Sequence, residues 1–135
     1  MAWAPMLDLE SKLAESGLGT AHIHESKDFS HGRFILVMKE QRASIPKIMV
    51  HVGPEDPYES YLQKTLEKKC RVISLSTTEH DALGALEILI KVQFLVQKIG
   101  EVSGLDISRP ASIPSAGLRL YRWRQSGGRG GYPPR

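Results

Sequence analysis

Hydrophobic residues near the N-terminus follow the spacing of one face of a helix. Met6, Leu9 and Leu13 recur three or four residues apart, which predicts a helix over residues 6–17. Gly17 comes at the end of this pattern, where glycine commonly follows the last helical turn. The pattern therefore predicts a short helix with one apolar face.

The next part of the chain has the pattern of extended structure. Residues 20–24, TAHIH, alternate between polar and apolar and favour a strand, and the polar residues 25–33, ESKDFSHGR, favour a loop. Near-continuous apolar runs follow at 33–38, 48–52 and 71–75. Such runs are typical of strands in a parallel sheet that is covered on both faces.

A helix is predicted between the last two apolar runs, within residues 53–70. Prolines and acidic residues lie near its start and two lysines lie at its end, as the ends of helices favour. A strand, a helix and a strand in this order predict a right-handed parallel crossover. The expected fold class is therefore α/β with a parallel sheet.

The longest predicted element is a helix over residues 79–103, with apolar residues around most of its circumference. A narrow polar stripe runs along it through Glu87, Lys91, Lys98 and Glu101. The residues 76–79, STTE, predict a capping box before this helix, and Gly104 predicts its end. A helix this apolar must be buried on two sides. We expect the sheet on one side and a second protein surface on the other.

The C-terminal part of the chain divides into a last predicted strand, 118–123, and a tail, 125–135, which is rich in glycine and arginine and which we expect to be disordered. We expect one small domain over residues 1–124. The net charge is +3, and the tail offers nucleic-acid binding as one hypothesis. A basic tail is weaker evidence than a basic folded face, so we do not expect a nucleic-acid partner.

Composition limits the class of protein further. The chain of 135 residues is 41% hydrophobic and has no apolar run of the roughly 20 residues that a membrane span needs. The N-terminus lacks the basic start and apolar stretch of a signal peptide. The one cysteine, Cys70, excludes an internal disulfide and is typical of a small buried residue entering a strand. We therefore expect a cytoplasmic protein without a membrane partner.

Candidate chemistry centres on a carboxylate and an imidazole. Glu15 lies close to the glycine-terminated end of the first helix, and His31 lies in a loop before a predicted buried strand. Loops at strand ends host the chemistry of many α/β folds. A carboxylate and an imidazole together suit proton transfer between adjacent carbons. The pair is thus the leading candidate for catalysis.

Two other polar clusters allow simpler interpretations. His22 and His24 would share one side of a strand, but no nearby residue beyond Glu25 completes a zinc site, so we expect no metal. The hydroxyl-rich residues 74–78 open a helix, where anions bind readily. Acidic residues in the same turn oppose an anion, and helix capping is the simpler interpretation.

Residues 7–37 resemble the second sugar-isomerase (SIS) domain of glucosamine-6-phosphate synthase-type phosphosugar isomerases. Those proteins carry a helix of the type LExALKxKE, an extended segment, and a loop that ends in HGP. Leu7-Asp8 falls on the leucine-acid start, Glu15 on the closing glutamate, and Ser30-His31-Gly32 on the family's Lys-His-Gly. The separation between the glutamate and the histidine matches without a gap.

The later elements resemble the same family. The order strand, strand, helix, strand and long apolar helix matches, and a family stretch like DxxxPRNLAKSVTV resembles Asp106, Arg109, Pro110 and the 118–123 strand. The likeness covers about residues 3–123. It implies a flavodoxin-like parallel-sheet sandwich.

The resemblance implies roles for individual residues. Glu15 would be the base that moves a proton between C1 and C2 of a sugar phosphate through an enediol, and His31 would help to open the sugar ring. Ser30 and Arg119 would contact the substrate, and Arg33 is a further candidate for substrate binding. No cofactor is implied. Arg119 or Leu118 falls near the lysine of the family's C-terminal segment, and neither can form the Schiff base of the amidotransferase.

Arg33 stands where the family has a proline. It can bind a phosphate or a carboxylate through two hydrogen bonds. A surface arginine, or an ion pair with Asp28, is an equally open interpretation.

Parts of the family's site have no counterpart in this sequence. The Ser/Thr-rich loop that holds the sugar phosphate belongs to the first SIS half, and the opening strand of the second half would precede Met1. A parallel sheet that lacks a strand exposes unpaired edges. We therefore expect a domain incomplete at its N-terminal strand, paired with another SIS chain or a second copy.

Two functions from different classes follow. The first is the catalytic half of an aldose–ketose isomerase that acts on a sugar phosphate. The alternative is a non-catalytic module for sugar-phosphate sensing or assembly.

Overall fold

The computed structural model describes residues 3–39 and 45–108. Its α-helices are α1 (Trp3–Glu15), α2 (Ser26–Asp28), α3 (Phe34–Met38), α4 (Pro57–Glu67) and α5 (Asp81–Ser103). A π-helical segment, Phe29–Arg33, joins α2 to α3, and the strands are β1 (Lys47–Val52) and β2 (Val72–Thr77). The strand predicted over 118–123, the tail at 125–135 and Arg119 lie outside the described residues.

The two strands pair in parallel, with Lys47 opposite Val72 and Val52 opposite Thr77. Helix α4 connects them. It starts with Pro57, directly after Asp56, whose Oδ1 accepts a hydrogen bond of 2.8 Å from the backbone N–H of Tyr58. The predicted parallel crossover and the α/β class are therefore confirmed.

One face of the sheet is covered by α1 and α5. The residues buried there form the α1/α5 cluster: Leu9, Leu13, Ile88, Val92 and Val96. Ile48, Val50 and Val52 of β1 pack against this cluster. These three positions are two apart and so point to the same face of the sheet.

The opposite face is covered by α3 and α4. The residues buried there form the α3/α4 cluster: Val37, Leu62, Leu66 and Cys70. Met49 and Val72 pack against it from the strands, and Phe29 and Phe34 from the helical segment. The predicted burial of Cys70 at the entry to β2 is confirmed.

Helix α5 is confirmed close to its predicted bounds. It ends at Gly104, which has φ +68°, and the following N–H of Leu105 returns to the carbonyl of Gly100 at 3.0 Å. The predicted capping box is wrong, because Ser76 belongs to β2. Instead, the hydroxyl of Thr77 accepts from the N–H of Glu79 at 3.1 Å.

Residues 20–38 differ from the prediction. The apolar run at 33–38 is helical and the polar stretch at 25–33 is largely helical, so neither the strand nor the loop is present. A short apolar run has no period that separates a strand from a helix. Here Phe34 and Val37, three apart, face the α3/α4 cluster, whereas Ile35 between them is 55% exposed.

The predicted strand at 20–24 is also absent. These residues are irregular, and the described sheet contains β1 and β2 alone. Alternation cannot make a strand without a neighbouring backbone to pair with. Among the helices that the structure describes, none is long and apolar enough to cross a membrane.

Candidate functional site

A cavity of about 1640 Å³ runs along β1 and reaches the carboxyl ends of both strands. Its polar walls include His24, Arg33, His51, Tyr58 and Glu59. The carboxyl ends of parallel strands are the usual ligand-binding edge of an α/β sheet. This cavity is therefore the candidate site.

His51 lies at the end of β1 and contacts the first turn of α4. Its Nδ1 hydrogen bonds to Oε2 of Glu59, and its Nε2 lies 3.1 Å from the carbonyl oxygen of Gly53 and 2.6 Å from that of Pro54. A neutral imidazole carries one N–H, whereas these acceptors face both nitrogens. The surroundings therefore favour the imidazolium form.

The pKa of His51 reflects opposing effects. Partial burial lowers the pKa, but the hydrogen bond to Glu59 and the carbonyl oxygens of Pro54 and Gly53 together raise it above its ordinary value. A doubly donating imidazolium is poorly suited to accept a proton. His51 therefore serves to hold Glu59 and to place a positive charge at the cavity wall.

Glu59 also connects the sheet to the helical segment that carries Ser30 and Arg33. Its Oε1 accepts from the hydroxyl of Ser26 at 2.8 Å. The hydroxyl of Ser30 donates to the carbonyl of Ser26 at 2.9 Å, and the hydroxyl of Tyr58 bonds to that of Ser30. These five residues, His51, Glu59, Ser26, Tyr58 and Ser30, form the polar network.

Arg33 lines the cavity and donates to an imidazole. Its Nη1 lies 2.7 Å from Nε2 of His24, and the ion pair with Asp28 is not formed. Burial lowers the pKa of His24, as do the charges of Arg33 and His22, while Asp28 has a smaller opposing effect. A neutral His24 accepts from the guanidinium without neutralising it. Arg33 therefore keeps a positive charge at the cavity.

Glu15 lies at the end of α1, away from the polar network. It accepts from the hydroxyl of Ser11 at 3.0 Å and pairs with Lys12 at 3.8 Å, with 68% of its side chain exposed. It does not line the cavity, and no hydrogen bond joins it to His31.

His31 is exposed in the π-helical segment and does not line the cavity. Its ring makes no hydrogen bond to any residue in the described ranges. The structure thus places Arg33 on the cavity wall and Ser30 in the polar network beside it, and it leaves the candidate acid–base pair outside the cavity.

The sequence analysis does not predict the hydrogen-bond partners of His51 and Ser30. His51 and Glu59 are eight residues apart, and Tyr58 and Ser30 are 28 apart. The His51–Glu59 contact is predictable in principle, because a polar residue at the end of a strand lies near the first turn of the following crossover helix. The Tyr58–Ser30 contact is not predictable from the sequence, since it depends on the helical form of residues 26–33.

Within the described ranges, no group of three or more His, Cys, Asp or Glu side chains is placed to hold a metal ion. His24, one of the two candidate ligands on the irregular segment, is engaged by Arg33.

Comparison of the chain with protein-family models, with curated proteins and with solved structures gave no match.

Proposed function

We propose that the chain is a phosphosugar-binding domain of the SIS type, which supplies part of an aldose–ketose isomerase site and takes the rest from a second SIS unit. The observation that carries the proposal is the position of Arg33. It lines the cavity that runs along β1 to the carboxyl ends of both strands, and its hydrogen-bond partner is His24 rather than a carboxylate. An uncompensated guanidinium in such a place is suited to a phosphate.

The remaining walls suit the rest of a sugar phosphate. Hydroxyls of Ser74, Ser76 and Thr78 lie along the cavity with Tyr58, and they can donate to and accept from sugar hydroxyls. Cavities that enclose small ligands measure about 300–1,000 Å³. This cavity is larger, at about 1640 Å³, and so has room for a sugar phosphate.

In this proposal Glu15 takes the proton from C2 of the aldose and returns it to C1 of the enediol, while a second proton passes from the C2 hydroxyl to the C1 oxygen. His31 moves a proton to and from the ring oxygen. The electrons stay within the sugar, so the reaction needs neither an oxidant nor a reductant. A general base must lie within hydrogen-bond reach of the carbon acid. Because neither Glu15 nor His31 lines this cavity, they act in a site completed at the interface with the second unit.

A second candidate function is sugar-phosphate sensing without turnover. The exposure of Glu15 and its contacts with Ser11 and Lys12 favour this candidate. A base that water surrounds is a weak catalyst unless another surface covers it.

The first test is thermal unfolding, followed by circular dichroism, with a panel of hexose and pentose phosphates. One sugar phosphate at 100 times its Kd should raise the Tm by roughly 5–15 °C. Arg33→Ala should abolish the shift. The control Arg71→Ala, at the opposite end of β2, should retain it. A panel without any shift, or a shift that persists in Arg33→Ala, would contradict the proposal.

Turnover is tested separately in the protein assembled with its second unit, by exchange of the C2 hydrogen of the bound sugar phosphate with D₂O in an NMR experiment. An isomerase should show exchange that Glu15→Gln abolishes and that the control Glu10→Gln, on the same helix, leaves intact. Binding without exchange would select the sensing function.

A further inference from the structure

The edge of β1 that faces away from β2 carries unpaired backbone groups. The N–H of Lys47 donates toward β2, to the carbonyl of Arg71 at 2.8 Å. Alternate residues of a strand direct their backbone groups to opposite sides, so Ile48, Val50 and Val52 direct theirs away from β2. In the described part of the chain, no other backbone group bonds to these three residues. Backbone groups of a sheet normally find a partner, and this edge is therefore a template for a further strand.

The candidate cavity passes along this edge. Every residue from Lys47 to His51 lines it. It is also lined by Leu13 of the α1/α5 cluster and by Leu66 of the α3/α4 cluster, which lie on opposite faces of the sheet. A cavity reaches both faces only round an edge of the sheet, and β1 is the strand that lines it along most of its length. The cavity therefore has the position that a further strand beside β1 would take.

The placement of the helices determines on which side of the sheet the next strand lies. Helix α4 joins β1 to β2 across one face, and α5 follows β2 across the opposite face. Crossovers between parallel strands are right-handed in about 98% of cases. A right-handed crossover on the opposite face runs in the opposite direction along the sheet. A parallel strand after α5 must therefore lie beside β1, on the edge away from β2.

We propose that residues 118–123, LRLYRW, pair in parallel with the free edge of β1 as the third strand of the sheet. Leucines and aromatic residues alternate there with arginines. Aromatic residues favour strands, and charged side chains are common on a strand that ends a sheet. The strand order is then β2, β1 and the 118–123 strand.

The chain leaves α5 in the right place for this pairing. Ile99, near the end of α5, lines the cavity. After Gly104 the chain turns back, and Ile107 packs on Gly100, which belongs to the buried face of the helix. Residues 109–117 span at most about 30 Å when extended, whereas a strand of six residues is about 20 Å long. The connection is therefore long enough to reach the amino end of β1, where a parallel strand begins.

This pairing goes beyond the proposed function, because it needs no ligand and no catalytic residue. Ligands of parallel sheets bind outside the carboxyl ends of the strands, so a third strand borders the sugar-phosphate site rather than filling it. Its test can therefore fail while sugar-phosphate binding stands, and the reverse also holds.

Hydrogen exchange of the full chain, resolved by NMR, tests the pairing. The outward amides of Ile48, Val50 and Val52 should exchange about as slowly as those of Met49 and His51, which face β2. On an unpaired edge they would exchange roughly tenfold faster or more, because the hydrogen bonds that protect them would be absent. Fast exchange confined to the three outward amides would overturn the proposal.

A double substitution identifies the segment that protects the edge. Leu120→Pro combined with Tyr121→Pro removes two successive N–H groups, one of which faces β1 in any register. The outward amides should then exchange roughly tenfold faster or more, while the amide of Val92 in α5 stays protected. The control, Gly127→Pro combined with Gly128→Pro, should change neither.

Two further outcomes contradict the proposal. Protection that survives the Leu120→Pro/Tyr121→Pro change would show that another segment covers the edge, and wild-type protection that is lost on dilution would show that a second copy does. If the double variant unfolds, backbone nuclear Overhauser contacts in the wild-type chain decide the question. Contacts between residues 118–123 and β1 support the pairing, and their absence overturns it.

Discussion

The two faces of the sheet are stabilised in different ways. The α1/α5 cluster is aliphatic throughout, and Ile88 and Val92 are fully buried. The other face combines the smaller α3/α4 cluster with the polar network, which connects α2 and the π-helical segment to α4. One face therefore relies on apolar burial and the other relies partly on hydrogen bonds.

The two faces are therefore expected to differ in how much they stabilise the fold and in how easily they open. Complete burial of one aliphatic side chain contributes about 1.5–3 kcal/mol, whereas one hydrogen bond contributes a net 0.5–1.5 kcal/mol or so. Segments with few buried apolar contacts open at lower free energy, and binding segments are drawn from them. The α1/α5 face thus stabilises the fold, and residues 26–38 form the more easily opened part that carries Ser30 and Arg33.

The largest expected effect contrasts two glycines. A Cβ at Gly84 would lie 2.3 Å from the carbonyl oxygen of Glu79 and 2.7 Å from Cγ1 of Val52, whereas a Cβ at Gly32 would meet nothing within 4 Å. Gly84→Ala should lower the free energy of unfolding by about 1–3 kcal/mol, because backbone and strand must move apart. Chemical denaturation measures this change.

The matched variant Gly32→Ala should be neutral or stabilising by up to about 1 kcal/mol, since alanine restricts the unfolded chain. Equal losses at both positions would mean that the two faces are packed equally tightly.

The same contrast explains how far the sequence predicts the fold. The stretch from β1 to Gly104 follows its predicted order because its signals are local: near-continuous apolar runs on both sides of a helix, Pro57 at that helix's start, and glycine past the end of the long helix. Residues 20–38 carry a short apolar run with no usable period. Their helical form depends on contacts with α4, which lies about 30 residues further along the chain.

The candidate site also has one part that the sequence predicts and one part that it does not. Arg33 was identifiable from the sequence as a possible phosphate ligand, and it lines the cavity. The hydrogen bonds from Ser26 to Glu59 and between Tyr58 and Ser30 form only when the helical segment packs on α4. A sequence pattern does not specify such long-range hydrogen bonds.

The polar network should make one face sensitive to pH. The folded state raises the pKa of His51 above its unfolded value, so its contribution to stability is complete below about pH 6.5 and is lost as the pH rises through the folded pKa. Glu59→Gln should cost about 1–2 kcal/mol at low pH and less at high pH. Denaturant unfolding at about pH 5.5 and about pH 9 measures the difference between wild type and variant.

His24 is the control for this pH dependence, because its folded pKa is lowered and its contribution has the opposite sign. His24→Gln should leave the low-pH advantage of the His51–Glu59 pair in place. A cost of Glu59→Gln that is equal at both pH values would show that the pair does not titrate as described.

The smallest expected effect contrasts two tyrosines on α4. Tyr58→Phe removes the hydroxyl that bonds to Ser30 and should cost about 0.5–1.5 kcal/mol. Tyr61→Phe, at a side chain 71% exposed, should change nothing measurable. Urea unfolding of both variants provides the comparison, and equal stabilities of the two would remove Tyr58 from the polar network.

Hydrogen exchange resolved by residue tests the central claim most directly. Without ligand, amides in residues 26–38 should exchange through openings of lower free energy than those of α1 and α5. The sugar phosphate selected by the thermal panel should slow exchange in 26–38 and leave the centre of α5 unchanged. Equal protection of both faces without ligand, or ligand protection confined to α1 and α5, would contradict the account.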